Sequence, residues 1–480
     1  MRVAVVGCLH GSFAELYRTL PPVDLVLCCG DLQAFRNASD MESCHLLPDQ
    51  RKLGSFHKYY AAPRDIPLTI VVGGNHEASN YLGELFYGGW LAHNIYYLGV
   101  AGSVMVNGLR IAGASGIYRK GTEGCGYFER VPLSEKRLHT IYHIRKWNEE
   151  RLRFLSDVDI FLSHDWPAEI IKHGDWKRLF RFSPQFKPLV SSGKLGAPPL
   201  MRILDATRPR YWFAAHRHIK FPAVKTHPPK AAKGERGHEQ DPTPAAWLST
   251  HTIYRNPPPG RDLLNTPPQP GHRATRFLAL SKPSDDGWTG AWQVVLDISA
   301  PSEALPPALT FDYEWLAITK GAHPIPTNCD PLARDAEGGL PSMLPDNFEE
   351  RTLAILNALV DPRFSGPISD IQTFAKTAPA AGGGAPLAHY TNPQTTAFCA
   401  MLGIEDLTNP PPMQHPLPPR PQTGGDGDSW HYHDGASKGC SCTSGPGDTD
   451  GWRPIGSDGH SRNTGDDYYR PHDTYIPEDY

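Results

Sequence analysis

Five short apolar runs in the first half of the chain each stop at residues able to bind a metal or move a proton. RVAVVGCLHG carries Cys8 and His10 just past its run, and VDLVLCCGD ends on Gly30 and Asp31. LTIVVGGNHEASN ends on Asn75, His76 and Glu77, DIFLSHDWP on His164 and Asp165, and YWFAAHRHIKF on His216 and His218. Short Val/Ile/Leu runs of this kind read as strands of an α/β sheet covered on both faces. Ligand sites in such sheets collect beyond the strand ends, on loops held by a rigid scaffold. Five polar clusters in this order can therefore converge on one pocket.

The residue types say what such a pocket would hold. Imidazole, carboxylate, amide oxygen and thiolate together suit Zn, Fe or Mn better than Ca or Mg, which take all-oxygen shells. Asp31 offers two oxygens and can bridge two cations, while His216 and His218 can reach neighbouring positions. Two cations about 4 Å apart clamp a phosphate for in-line attack. Each piece alone has a plainer reading: Cys8 as a small buried hydrophobe, His10 as a satisfied loop residue, Gly30-Asp31 as an ordinary turn. GGNHE is the sharpest single motif, because two glycines allow a close-approaching turn that presents an amide and an imidazole together. The ordered set is what makes coincidence a poor account.

In that order the motifs resemble the calcineurin-like metallophosphoesterase superfamily. More closely the chain resembles the RNA lariat debranching enzymes, through MRVAVVGCLHG, LVLCCGDLQAFRN, VVGGNHEASNYLGELFYGGW, NIYYLGVAG, ASGIYR, IYHIRKWN, DIFLSHDWP and YWFAAHRHIKF. The resemblance implies an α/β fold: a metallophosphoesterase-type β-sandwich flanked by helices, with a smaller C-terminal α+β domain and a disordered tail. It implies hydrolysis of the 2′–5′ phosphodiester at the branch point of excised intron lariats. The implied metal ligands are Cys8, His10, Asp31, Asn75, His164, His216 and His218. Asp31 would bridge, with Cys8, His10 and His218 on one metal and Asn75, His164 and His216 on the other. His76 would be the general acid that protonates the departing 2′ oxygen, as an imidazolium titrating near neutrality can. Two divalent metal ions are implied, with Fe(II)/Zn or Mn expected; Cys8 stands where the wider superfamily has Asp, and a thiolate favours Zn or Fe(II). The implied partner is branched (lariat) RNA, with no membrane; the expected location is the nucleus with the cytoplasm as a second, and splicing-associated proteins are compatible with the sequence but not readable from it. A general metallophosphatase or nucleotide phosphodiesterase of the same fold is the alternative, and a non-catalytic metallophosphoesterase-like scaffold is the third reading.

Composition then divides the chain. Pro and Gly make up about a fifth of its 480 residues, an excess that packed helices and strands tolerate badly. Much of it falls between 224 and 271, read as a Pro-rich linker or loop, and after about Pro379. The expected organisation is a catalytic domain at 1–223 containing a candidate lariat-recognition insertion at 115–145, the linker at 224–271, a C-terminal domain at 272–378, and a disordered Gly/Pro/Asp-rich tail at 379–480. Residues 401–480 carry a net charge of −8, so the net −4 of the whole leaves +4 for residues 1–400. Low aliphatic content leaves the tail unable to offset its ordering entropy by burial. No apolar run approaches the ~18 residues of a membrane span.

Within the insertion, residues 119–137 are shorter than the family pattern and lack its His-Asp-Tyr stretch. From Arg119 to Arg153 the chain still carries a net charge of +4 interleaved with Tyr127, Phe128, Tyr142 and Trp147, a composition that suits RNA phosphates and unpaired bases. Ser134–Leu155 reads as an amphipathic helix with a basic face. Phe311, Tyr313 and Trp315 alternate as one buried sheet face would, and 347–360 reads as a helix.

Overall fold

All five apolar runs are strands in the computed structural model. It describes residues 1–47, 50–228, 273–283, 291–334, 339–359, 366–381 and 387–410, all within one unit, Met1–Pro418. Thus most of the 224–271 linker, the PLPPRP stretch at 416–421 and the tail beyond residue 410 lie outside the described residues.

The described strands form two sheets. The first has the order β12-β1-β2-β3-β5-β4, built from β1 (Arg2–Val6), β2 (Leu25–Cys28), β3 (Leu68–Val71), β4 (Gly89–Ala92), β5 (Ile95–Tyr97) and β12 (Gln293–Asp297). The second has the order β10-β11-β9-β8-β7-β6-β13, from β6 (Ala101–Val106), β7 (Leu109–Ala114), β8 (Ile160–Ser163), β9 (Tyr211–Ala214), β10 (Phe221–His227), β11 (Arg273–Ala279) and β13 (Leu309–Phe311). β1, β2 and β3 run parallel, as do β7, β8 and β9. The loops after β1, β2, β3, β8 and β9 are the five polar clusters.

Burial explains why these runs are continuous rather than alternating. Val3, Val5, Leu25, Leu27 and Ile70 join a core that also takes Ile160, Phe161, Leu162 and Trp212 of the second sheet. Ala4, Val6, Val26, Cys28 and Val71 face the other way, onto Phe13, Leu16, Phe35 and Tyr81. A strand covered on both faces needs an apolar side chain at every position.

The region from 272 onward begins with strands that join the two sheets of the sandwich. β12 pairs antiparallel with β1, and β11 pairs parallel with β9, so the stretch expected to open a C-terminal domain supplies a strand to each sheet. Part of the stretch expected as tail from residue 379 carries regular structure. Residues 387–410 include the helix Pro393–Leu402, which Asn392 caps by accepting from the Gln394 N–H and which ends at Gly403 with φ 63°. Phe398 and Leu402 of this helix are buried in the core.

Two local expectations are corrected. The alternation at Phe311, Tyr313 and Trp315 is not a sheet face: β13 ends at Phe311, and Asp312 accepts from the Glu314 N–H to start the helix Tyr313–Gly321. Ser134–Leu155 is not one helix but two, Glu135–Leu138 and Lys146–Arg153. Between them the backbone of Tyr142 and Ile144 bonds to Ile117, which prevents a helical ladder there. The helix expected at 347–360 is present as Phe348–Ala358.

Candidate metal centre

Asp31 sits at the centre of the converging loops, 1% exposed. One of its carboxylate oxygens, Oδ2, lies 3.7 Å from His10 Nε2, and the other, Oδ1, lies 3.3 Å from His164 Nε2. The two oxygens therefore face two groups of donors.

On the first side, Cys8 Sγ, His10, Asp31 and His218 place ligand-capable atoms within 4.8 Å of one another. His10 Nε2 and His218 Nε2 approach to 3.0 Å, and Cys8 Sγ accepts from the His216 N–H at 3.3 Å. On the second side, His164 Nε2 is 3.2 Å from Asn75 Oδ1, and the ring centroids of His164 and His216 are 5.0 Å apart. All seven residues named from the sequence converge at these loop ends, with Cys8, Asp31, Asn75 and His164 buried and His10, His216 and His218 half-buried.

The backbone is bent to make this meeting possible. His10, Asp31, His216 and His218 all have left-handed φ, between 45° and 64°. Non-glycine residues rarely adopt this conformation, and such strain clusters where function needs it. Gly74 allows the closest approach: a Cβ there would lie 2.2 Å from Asp31 Oδ1. The glutamate of GGNHE locks the loops together, since Glu77 accepts from the backbone N–H groups of Leu32, Gln33 and Gly74 at 2.8–3.1 Å.

The electrostatics suit a cation. Burial pushes His10 down to about 4 and holds His216 and His218 well below their ordinary value, so these three imidazoles are neutral with lone pairs available. Burial also pushes the Cys8 thiol up, helped by the Asp31 charge. Burial works on Asp31 in the raising direction, but His164, His76 and His10 outweigh it and hold the carboxyl well below the usual range. His164 is raised, because Asp31 outweighs its burial. Neutral nitrogens crowded against one carboxylate and a thiol call for positive charge between them, which a divalent metal supplies. The Asn75 Nδ2 amine has no partner among the described residues while its Oδ1 turns to His164, the orientation an oxygen ligand needs. The donor set thus fits metal.

His76 stands beside this group. Its backbone N–H donates to Asp31 Oδ1 at 2.9 Å, and its ring centroid is 6.0 Å from that of His10. Its Nδ1 lies 2.8 Å from the His45 carbonyl oxygen. His45 is not part of any sequence motif, and its ring is in turn held by the Tyr142 hydroxyl at 3.1 Å and packed against His139 at 3.8 Å. Gln33, which lies in the LVLCCGDLQAFRN motif without an implied role there, is a second neighbour, with Nε2 3.3 Å from His10 Nδ1.

The Arg119–Arg153 stretch presents less than its composition promised. Tyr127, Tyr142 and Trp147 are buried rather than exposed for stacking. Arg145 is spent on Glu129 at 2.6 Å, and Arg151 lies over the Trp147 ring at 3.6 Å. Arg119, Lys120, Lys136 and Arg137 remain exposed.

Strand ends of this order and this donor set define a calcineurin-like metallophosphoesterase, and residues 1–220 match that family. Residues 272–407 match the family described as the lariat debranching enzyme, C-terminal domain. The chain is 36% identical to the lariat debranching enzyme of Homo sapiens over 442 residues, covering 85% of this chain and 70% of that protein. It is 38% identical to the lariat debranching enzyme of Drosophila pseudoobscura over 437 residues, covering 85% and 77%. The lariat debranching enzyme of Arabidopsis thaliana is 45% identical over 237 residues, covering 47% of this chain and 57% of that protein. The chain belongs to the lariat debranching enzyme family.

Proposed function

We propose that this chain is a metal-dependent RNA phosphodiesterase that hydrolyses the 2′–5′ phosphodiester at the branch point of excised intron lariats. The observation that carries the reading is the placement of Asp31, whose two oxygens face two donor groups and whose Oδ1 also accepts from the backbone of His76. Two divalent cations, Fe(II) with Zn or Mn, would be held by Cys8, His10 and His218 with Asp31, and by Asn75, His164 and His216 with Asp31. When bound, they would supply Lewis-acid charge to the phosphate and lower the pKa of attacking water.

The chain's own residues account for the rest. His76 keeps Nδ1–H on the His45 carbonyl, so the proton it exchanges sits at Nε2. From there it protonates the departing 2′ oxygen, which leaves poorly as an alkoxide. Burial of Asn75, His164 and Asp31 lowers the local dielectric and strengthens the charges there. Among the described residues no helix is long and apolar enough to cross a membrane. The proposal extends to intron turnover in the nucleus, beside splicing-associated proteins, which is where this substrate is released.

Purified protein loaded with Mn, Zn or Fe(II) and offered branched RNA, linear 3′–5′ RNA and a chromogenic phosphodiester tests the reading. Selective cleavage of the branch is expected. Equal cleavage of linear RNA would sink the specificity, and no cleavage of any substrate would sink the activity.

A further inference from the structure

A strongly charged surface lies outside the metal pocket. From Trp176 to Leu204 the chain carries Lys177, Arg178, Arg181, Lys187, Lys194 and Arg202 and no carboxylate. The segment folds as two short helices in mutual contact, Trp176–Phe182 and Phe186–Ser191, followed by the loop that holds Lys194. Leu179, Phe186 and Val190 are turned inward and buried. Lys177, Arg178, Arg181, Lys187 and Lys194 are exposed, and none forms an ion pair with a described carboxylate. At the margins, by contrast, Lys172 is paired with Glu169 and Arg202 with Glu149. Aromatic rings are interleaved: Phe182 is 43% exposed with the Arg178 guanidinium 5.7 Å away, and Lys177 lies 5.6 Å from the Trp176 ring.

This surface is keyed to the metal ligands. Phe186 stacks on Trp166 at 6.0 Å, and Trp166 stacks on Phe221 at 5.5 Å. Trp166 follows His164 by two residues and Phe221 follows His218 by three, and Trp166 Nε1 donates to the Ala215 carbonyl at 2.8 Å. The path between is basic as well. Lys220 is exposed just after His218, and Ser281 Oγ donates to the His218 carbonyl at 3.0 Å, which places Lys282 alongside. The 115–145 insertion reaches a different flank, at His76, through Tyr142 and His45.

We propose that the Trp176–Lys194 surface holds the phosphates of a single RNA strand leaving the branch point on the His164–His218 side of the site. The inference rests on the debranching reading, which supplies a polyanion with three strands at the reacting phosphate. Unpaired cations track a phosphate backbone, and an exposed ring among them, that of Phe182, can stack on a single-stranded base; the debranching reading puts such a strand beside the site.

The test compares branched RNAs that share one trinucleotide core, bare or with each strand in turn extended by about ten nucleotides, a length within the range that single-strand binding surfaces occupy. The full-length protein is set against the triple variant Lys177→Glu, Arg178→Glu, Arg181→Glu and, independently, the pair Lys187→Glu, Lys194→Glu. Extension of at least one strand should lower KM for the unaltered protein. The triple variant should lose that gain, with KM for the extended RNA up roughly tenfold, kcat within about twofold, and the slope of log KM against log salt reduced by about 2. Cleavage of the bare core should be the same in all three proteins, which also shows that the variants fold. If no extension lowers KM, or if both variants keep the gain, the surface does not carry the strand and the proposal is overturned, including in favour of an acidic protein partner. If the unaltered protein leaves the bare core and the extended RNAs intact, it is the debranching reading that has failed, and the surface proposal goes with it.

Discussion

The carbonyl oxygen of His45 accepts the Nδ1 hydrogen of His76 at 2.8 Å. A carbonyl can only accept, so the bond selects one tautomer of His76 and fixes the plane of its ring. The His76 backbone N–H is meanwhile on Asp31 Oδ1. One residue is thus tied at its main chain to the metal-facing carboxylate and at its ring to the 39–47 loop.

His76→Ala removes the proton donor without touching a proposed ligand side chain. Turnover of branched RNA should fall by roughly 10²–10⁴, while affinity for uncleaved lariat stays within a few-fold. Single-turnover cleavage and filter binding measure the two separately, and unchanged turnover would remove His76 from the role of acid.

Cys8→Ser replaces a soft donor by a hard one in a site where burial keeps the thiol protonated until a cation displaces the proton. Metal content after purification, read by elemental analysis, should change in amount or in the ratio of Zn and Fe to Mn. Identical content would mean that Cys8 is not a ligand.

Arg36 is wholly buried, with two nitrogens on Asp40 at 2.9 Å and a third on Glu84 at 2.8 Å. The same guanidinium donates to Thr377 and lies 4.0 Å from the Tyr81 ring centre, joining the N-terminal loops to the 366–381 stretch. Arg36→Met leaves two buried carboxylates without their cation, a loss of about 3–5 kcal/mol. Urea unfolding should show a lower midpoint.

His227 is buried, and its Nε2 is 2.8 Å from Thr275 Oγ1. Thr275 Oγ1 donates its own hydrogen to the Pro209 carbonyl, so the imidazole is the donor here and is neutral at Nδ1. Burial, then Arg208, Lys225 and Arg273, pushes the group down to about 3. An unfolded histidine titrates near 6.5, so between those values the unfolded chain binds a proton that the folded chain refuses. This contribution is complete above about pH 6.5 and falls as pH drops, by ~2 kcal/mol at about pH 5. His227→Gln should flatten the fall in Tm over that interval, and a parallel pH profile would assign the acid sensitivity elsewhere.

The site was legible because its residues sit immediately after strands buried on both faces, which leave an uninterrupted apolar run as a marker. Cys8, His10, Asp31, Asn75, His76, His164, His216 and His218 could all be picked out from that punctuation. His45 could not, because it contributes a backbone carbonyl, which any residue has. The partners of β1 and β9 were hidden for another reason: β12 and β11 pair with them across long separations, and nothing local in either strand names its neighbour. The helix at Tyr313 did carry a signal, an N-capping Asp312, but the aromatic alternation around it suggested a strand. Burial of Tyr127 and Trp147 shows the limit of composition, since basic and aromatic residues in sequence can satisfy one another inside the fold.

β4 ends the first sheet, and the side chain of Gln394 occupies its open side. Its Oε1 accepts from the Trp90 N–H at 2.7 Å and its Nε2 donates to the Trp90 carbonyl at 2.9 Å, the bonds a neighbouring strand would make. Gln372 Nε2 donates to the Gly88 carbonyl just before it. A chain cut short ahead of Pro393 would keep every proposed metal ligand and yet bare a strand edge ready to pair with its like. Truncation there should turn a self-limited sheet into a seed for polymerisation.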